Sequence, residues 1–486
     1  MLAITMREFS VTKAHTSSRF KWYSSPPSRS SLEFEDEESI PHVTIVRPVK
    51  GLDPGLYECL RSTFLQSYPK SKLTTYLCVP SRSDPAIPVL TQLLSEYADF
   101  DAKIYAEDED PSVLAGDLGP NPKIRQVARA YSEAKGDLIW AIDCNVWVAP
   151  HTCGRLVSLL IGGDGSRPYK FVHQLPLVVD IGSNSSSSSS SATPSGSQLE
   201  SMFTSSSHAK FYTAINTVSI APCIVGKSNL WRRSHLDALT ARRGLAHFSH
   251  NICEDHLIGD VLWKRSVPAG VAAAAAAAGR AGPPWRNHGL LRGALALQPM
   301  AGMGVRDYVA RRVRWLRVRK FTVLAATLVE PGTESFVCSA YGAFAVTTLP
   351  AFARLGVPHA SWLAFWLVWA VSVAAWAVVD YSLYAKLHSA QSIAVDEHTP
   401  AFAKRRGPKP LGAWLAVWFG REALAFPIWF WAFWCGSMVE WRGKKLWVGW
   451  DMKVHEVDET QGSEQAVPLL NGHDDSVLDR RKDRRD

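Results

Sequence analysis

Three apolar segments beyond Lys320, at 335–353, 361–384 and 411–438, constrain the fold more than any other feature of this 486-residue chain. Each is long enough to be a candidate membrane-crossing helix, which needs about 20 apolar residues to span hydrocarbon. The third carries Arg421 and Glu422 near its middle. Ionisable groups at that depth are costly unless paired or turned towards protein, so this segment is expected to be broken, re-entrant or tilted. Basic residues before the first segment and after the second (Lys404, Arg405, Arg406) place both flanks on the cytosolic side. The "WRGKK" that follows the third segment asks for cytosol too, which one simple crossing cannot deliver. The expectation is a multi-pass membrane region over 321–450, with two or three spans, and a polar charged tail over 451–486.

The first 40 residues are polar, rich in Ser, and end in the acidic "EFEDEE". No apolar run there is long enough for a signal peptide or a span, and the segment is expected to be disordered. From Pro41 the pattern changes. "HVTIVRPV", "KLTTYLCVP" and "GDLIWAID" are short apolar runs bounded by Pro, Gly or charge, hence buried strands. Between them "GLYECLRSTFLQSY" and "IRQVARAYSEAK" have helical spacing. Strands alternating with helices of this length predict an α/β domain over 41–320 with a mostly parallel sheet. Two low-complexity insertions interrupt it, a Ser run near 181–198 and the Ala-rich stretch near 267–284. Both are expected in surface loops, where extra length costs little.

Charge and cysteines narrow the class. The formal net charge of +8 would suit nucleic acid, an acidic lipid surface or a nucleotide diphosphate. The basic clusters lie beside the apolar segments and lack an interleaved aromatic repeat, which argues against nucleic acid. The eight cysteines are scattered, with no CxxC pair and no zinc spacing. They read as reduced thiols, so the bulk of the protein is expected to face cytosol.

Candidate chemistry rests on carboxylates. The strand "TTYLCVP" leaves Asp84 just beyond its C-terminal end, and "DLIWAID" ends on Asp143. In an open α/β sheet ligands bind off those ends, where an aspartate can hold a nucleotide or a cation bridging two phosphates. Turn formation or helix capping accounts for each alone. Glu254 and Asp255 precede an apolar helical run, and capping explains that pair equally well. In "ARRVRWLRVRK", Arg311, Arg314 and Trp315 fall at i, i+3 and i+4 on one helix face. Positive-inside anchoring is the plain reading of that cluster.

The order of these pieces, with "RPVKGLDPGL" (47–56), "NPKI" (121–124), "VHQLP" (172–176), "GKSNLWRR" (226–233), "EDHLIGD" (254–260) and RxxRW (311–315), resembles the inverting nucleotide-sugar glycosyltransferases. Within them it is similar to the ceramide glucosyltransferase family. The resemblance covers roughly residues 41 to 450 and implies a GT-A-type domain followed by C-terminal transmembrane helices, in the Golgi or a related endomembrane. It implies transfer of glucose from UDP-glucose to ceramide in the bilayer. Asp255 would be the catalytic base. Asp84, Asp143, His173, Glu254, Arg311, Arg314 and Trp315 would bind substrates. Mg²⁺ or Mn²⁺ would be held by Asp143 and by Asn145, which stands where a DxD pair has its second acid. Relatives in the family start with a membrane span that the first 40 residues do not provide. Two rival readings share part of the pattern. A processive polysaccharide synthase has the same acidic positions but usually more spans and a Gln at position 311. A catalytically silent, lipid-binding scaffold would need none of the acids.

Overall fold

The computed structural model describes residues 37–162, 167–182, 194–277, 284–391, 393, 395–404, 409–441 and 443–457. The N-terminal 36 residues, the 183–191 Ser run, Arg405, Arg406 and the tail beyond 457 lie outside the described residues.

The strand β1 (Val43–Pro48) shows why the N-terminal half folds as it does. Val43 and Ile45 point into one apolar cluster and Val46 into another, and all six residues are buried. Alternate side chains enter opposite faces, so a strand covered on both sides reads as a continuous apolar run. β1 pairs in parallel with β2 (Leu73–Val79) and β4 (Leu138–Ile142), and β2 with β3 (Asp101–Ala106). β6 (Ser228–Arg232) runs antiparallel to β4 and β5 (Tyr169–Asp180), and β5 pairs in parallel with β7 (Arg286–Met300). The spatial order is β3-β2-β1-β4-β6-β5-β7, with β6 alone reversed. The mostly parallel α/β domain is therefore present.

Helices α1 (Leu56–Phe64), α2 (Ile87–Glu96) and α4 (Thr152–Ile161) cover one face, and α3 (Pro122–Ser132) and α7 (Glu254–Lys264) the other. Helix α5 (Gly196–Ser205) and α6 (Ser207–Val218) lie beyond β5 towards the apolar region. The Ala-rich stretch, expected as a loop, instead contains helix α8 (Ala269–Ala277), with Val271 and Ala275 packed on Trp285. Alanine is the strongest helix former, and one apolar contact is enough to hold such a run in place.

The apolar third departs from a row of simple spans. Helix α9 (Val305–Arg319) leads through the short α10 (Leu324–Val329) to α11 (Ser335–Thr348). The chain turns at 350–361 and returns as α12 (Trp362–Leu387). Trp369 donates to the Phe336 carbonyl at 3.0 Å and the Ser339 and Ser372 hydroxyls meet at 2.8 Å, so α11 and α12 form a hairpin. Among the described residues, α12 alone is both long and apolar enough to cross a membrane. At 14 residues, α11 spans only about 21 Å at 1.5 Å per residue. The C-terminal end of α12 comes back to the α/β domain, where Leu383 and Leu387 pack with Cys59, Trp147 and Phe402.

Helix α13 (Leu411–Trp434) lies along that domain. Trp414, Trp418 and Ile428 pack on Leu199 and Met202 of α5 and on Tyr308 and Leu316 of α9. Beyond it, β8 (Met438–Trp441), β9 (Lys444–Val448) and β10 (Val454–Glu456) form a small antiparallel sheet. That sheet docks on the loop before α7: the Val454 amide donates to the His250 carbonyl at 2.7 Å and Asn251 Nδ2 to the Met452 carbonyl at 2.9 Å. Both flanks of the third apolar segment therefore meet the α/β domain.

Candidate active site

The C-terminal ends of the parallel strands assemble a cluster of opposite charges. Asp143 follows β4, and its turn is held from below by Arg47 of β1, a buried guanidinium. Arg47 donates to the carbonyls of Asp143 (2.8 Å), Cys144 (3.1 Å), Val146 (2.7 Å) and Cys59 (2.8 Å). Burial lowers its pKa to about 10. A planar donor fork can satisfy several carbonyls at once, which a lysine could not match.

Two ammonium groups reach Asp143. Lys123, in the first turn of α3, lies 3.3 Å from Asp143 Oδ1 and 3.2 Å from Glu254 Oε1. Lys227, just before β6, lies 2.8 Å from Asp143 Oδ2 and 3.3 Å from Asn145 Oδ1. Burial pushes the Asp143 carboxyl up, but the two lysines outweigh it and hold the pKa below the usual carboxylate range. Lys123 is shifted the other way: its burial is overcome by Asp143, Glu254 and Asp255, and it stays firmly protonated.

Glu254 and Asp255 open α7, facing this pair. Glu254 is buried, accepts from Asn121 Nδ2 at 3.2 Å, and has its pKa raised to about 7. Burial is the main cause; Lys123 opposes it, and Asp255 adds repulsion. Asp255 borders the same cavity as Lys123, Asp143, Gly226 and Asn229. A Cβ at Gly226 would come within 2.6 Å of the Lys123 ammonium and 3.0 Å of Asp255 Oδ2. Only glycine lets the backbone pass so close to both charges.

The other residues marked in the sequence are placed as follows. Asp84 caps its own turn: Oδ1 accepts from the Gly51 and Ala86 amides, both at 2.9 Å, so it fixes the 49–51 loop beside the site. His173 is fully buried in β5, with Nδ1 2.5 Å from the Tyr212 hydroxyl, beside Phe171, which lines the cavity. Burial depresses its pKa well below the ordinary histidine value. Arg311 donates from Nε to the buried Glu200 of α5 at 3.0 Å, and its guanidinium lies over the Trp315 ring at 4.5 Å. Arg311, Arg314 and Trp315 do not border the cavity shared by Asp143 and Asp255, nor do Lys227 and Asn145, which reach it only through Asp143. Arg319 of α9, paired with Glu330, lies within electrostatic reach of Cys223, Cys253 and His256.

Mg²⁺ and Mn²⁺ favour several oxygen donors, carboxylates foremost. Among the described residues no group of three or more His, Cys, Asp or Glu side chains is arranged to hold a metal ion. The two expected donors, Asp143 and Asn145, both hold Lys227 instead. As arranged, this pair does not fit a divalent cation.

Sequence reasoning missed Arg47, Asn121, Lys123 and Lys227, although each lies in a stretch that carried the resemblance. The signal was a lysine immediately after Gly226, at the start of a strand, and a lysine one residue inside a Pro-started helix. Neither pattern names its partner, because the contacts cross between strands and helices far apart in sequence.

The model of glycosyl transferase family 21 matches residues 4–280 and 286–454. A protein of Pyricularia oryzae named ceramide glucosyltransferase is 48% identical over 93% of this chain and 93% of its own. One of the same name from Gibberella zeae is 42% identical over 92% of this chain and 90% of its own. Among solved structures, a mannosyltransferase from Pyrobaculum calidifontis aligns with TM-score 0.34 and 15% identity, over 71% of this chain and 88% of that one.

Proposed function

The chain belongs to glycosyl transferase family 21, and from that premise we propose that it is a ceramide glucosyltransferase. It transfers glucose from UDP-glucose to the primary hydroxyl of ceramide, with inversion, and releases UDP. The observation that carries this reading is the 48% identity over nearly the whole length to a protein of that name, a span that includes the charged cluster.

The geometry supports a mechanism of direct displacement. Ceramide's hydroxyl is a weak nucleophile until a base removes its proton during attack. Asp255 is suited to that task, because it opens α7 at the cavity edge while its neighbour Glu254 is locked to Asn121 and Lys123. The hydroxyl oxygen bonds to the anomeric carbon as the bond to the β-phosphate oxygen breaks, and attack from the opposite face inverts the centre. The proton goes to Asp255 and the electron pair leaves with UDP. Lys123 and Lys227, at the end of β4 where nucleotides bind such sheets, face the charge that gathers there.

The acceptor's lipid tails ask for a membrane, and the helices supply one face for it. Trp362, Leu363, Trp366 and Leu367 of α12 are exposed, as are Phe430, Trp431 and Trp434 of α13. We place the α11–α12 hairpin in the bilayer and α13 along its surface, with the α/β domain on the cytosolic side of the Golgi or a related endomembrane. In this arrangement RxxRW lies at the membrane edge, where Trp315 can offer an apolar face to the acceptor.

The test uses membranes containing the protein, labelled UDP-glucose and a fluorescent ceramide, with chromatography of the lipid. A β-glucosylceramide product is expected, absent with Asp255→Asn. No lipid product from wild-type membranes would overturn the assignment.

A further inference from the structure

Lys227 holds both side chains that the sequence marks as cation donors, Asp143 and Asn145. Residue 227 stands opposite Asp143 by backbone register: Ser228 pairs with Ile142, and the Asp143 amide donates to the Lys227 carbonyl at 3.2 Å. From there the ammonium touches Asp143 Oδ2 and Asn145 Oδ1 together. The orientation of Asn145 is set from its other end, where Nδ2 donates to Asp53 Oδ2 at 2.9 Å and so turns the oxygen towards Lys227. The Lys227 side chain is 13% exposed, so the charge is enclosed. An ammonium has three donors, and the two contacts to Asp143 and Asn145 leave the third for a phosphate oxygen.

A divalent ion at the same donors would have to displace this ammonium into an enclosed space and sit beside Lys123 as well. Like charges a few ångströms apart in low dielectric repel strongly. The donor set is correspondingly poor in carboxylate, with a neutral amide at position 145 where a second acid would strengthen metal binding.

We infer that Lys227 is a built-in replacement for the divalent cation: its ammonium, clamped between Asp143 and Asn145, is the fixed positive charge that meets the diphosphate and stabilises UDP as it leaves. This rests on the donor being a nucleoside diphosphate sugar, as proposed above. When the anomeric carbon–oxygen bond breaks, its electron pair stays on the β-phosphate oxygen, which gains one negative charge. Lys227 and Lys123 face that charge as fixed donors, without an exchangeable ion.

The experiment uses the full-length protein in lipid nanodiscs, freed of metal with EDTA. Calorimetry reads UDP binding, electron paramagnetic resonance reads bound Mn²⁺ in the presence of UDP, and a ceramide assay reads transfer. Wild type should bind UDP and transfer glucose in EDTA within about twofold of its behaviour with Mn²⁺, and show no protein-bound Mn²⁺ beyond the UDP complex. Lys227→Met should lose UDP affinity in EDTA by about tenfold or more, equivalent to roughly 1.4 kcal/mol, with an unchanged melting temperature. Lys227→Asp, which places a second carboxylate beside Asp143, should gain a protein-bound Mn²⁺ signal and Mn²⁺-dependent UDP binding. This variant reports even if Lys227→Met unfolds. Wild type that binds Mn²⁺ at the site and loses UDP binding in EDTA would overturn the inference. So would Lys227→Met binding UDP normally in EDTA. The binding readouts do not involve ceramide, so a wrong acceptor would leave them intact and show only in the transfer assay.

Discussion

Two adjacent acids in the first turn of α7 meet different environments, and that difference assigns their work. Glu254 is enclosed by Asn121 and Lys123, whereas Asp255 borders the cavity. Asp255→Asn should leave UDP binding nearly intact and cut turnover by about 10²-fold or more, read as kcat in single-turnover experiments. Because the folded-state pKa of Glu254 is raised to about 7 from its ordinary 4.5, the fold binds its proton more tightly than the unfolded chain does. The stability from this group is full below about pH 4.5 and is lost as pH rises through about 7. The wild-type melting temperature should therefore fall more steeply between pH 5 and pH 8 than that of Glu254→Gln. Parallel curves would show that Glu254 ionises normally. Arg311 has a partner that sequence could not name, the buried Glu200. Arg311→Leu strands that carboxylate and should cost about 3 kcal/mol of stability. Unchanged melting with lost transfer would return Arg311 to a purely substrate-facing role.

At the scale of elements, helices of the apolar region are fastened to the α/β domain by buried polar links. Arg421 of α13 bonds to its neighbour Glu422 and, at 2.6 Å, to Glu334, whose other oxygen accepts from Ser207 of α6 at 2.6 Å. Lys210 of α6 pairs at 2.5 Å with Asp380 of α12, which also accepts from Trp418 Nε1 at 2.9 Å. These contacts explain how a helix can carry Arg421 and Glu422 at its middle: both face protein. At its end, the carbonyl of the cap residue Cys435 accepts from Arg317 at 2.7 Å, and just beyond it those of Gly436 and Met438 accept from Lys320 at 2.8 Å and Arg317 at 2.7 Å. Cations at a helix C-terminus are favoured by its partial negative charge. Helices α5 and α9 meet at Gly196, where an added Cβ would sit 2.0 Å from the Gly304 carbonyl oxygen. Gly196→Ala should force the two starts apart and cost about 2 kcal/mol, seen as a lower melting temperature in detergent. No change would mean that this crossing is loose.

For the whole molecule, the hairpin of α11 and α12 leaves the α/β domain and returns to it, and α13 begins and ends beside it. The described C-terminal sheet then braces the loop that leads into α7 and Asp255, through His250 and Asn251. In sealed vesicles, a tag placed after the last residue should share the protease sensitivity of the α/β domain. A tag protected while the domain is digested would require α13 to cross the bilayer.

The sequence by itself determined the order and kind of the parts. Runs such as "HVTIVRPV" could only be strands buried on both faces, and with the intervening helical spacing they implied the mostly parallel sheet. The same order of motifs placed Asp143 at a strand end and Glu254 and Asp255 at the start of a helix, because local patterning reports where an element begins and stops. It could not report what faces these residues. That Lys227 stands against Asp143, Glu200 against Arg311 and Glu334 against Arg421 follows from contacts between distant segments. So does the course of the apolar helices: hydropathy measures the preference of a segment for an apolar environment, and lipid and protein interior satisfy it alike. Only the tertiary structure decided which protein groups meet, by bringing the second partner of each buried charge into reach.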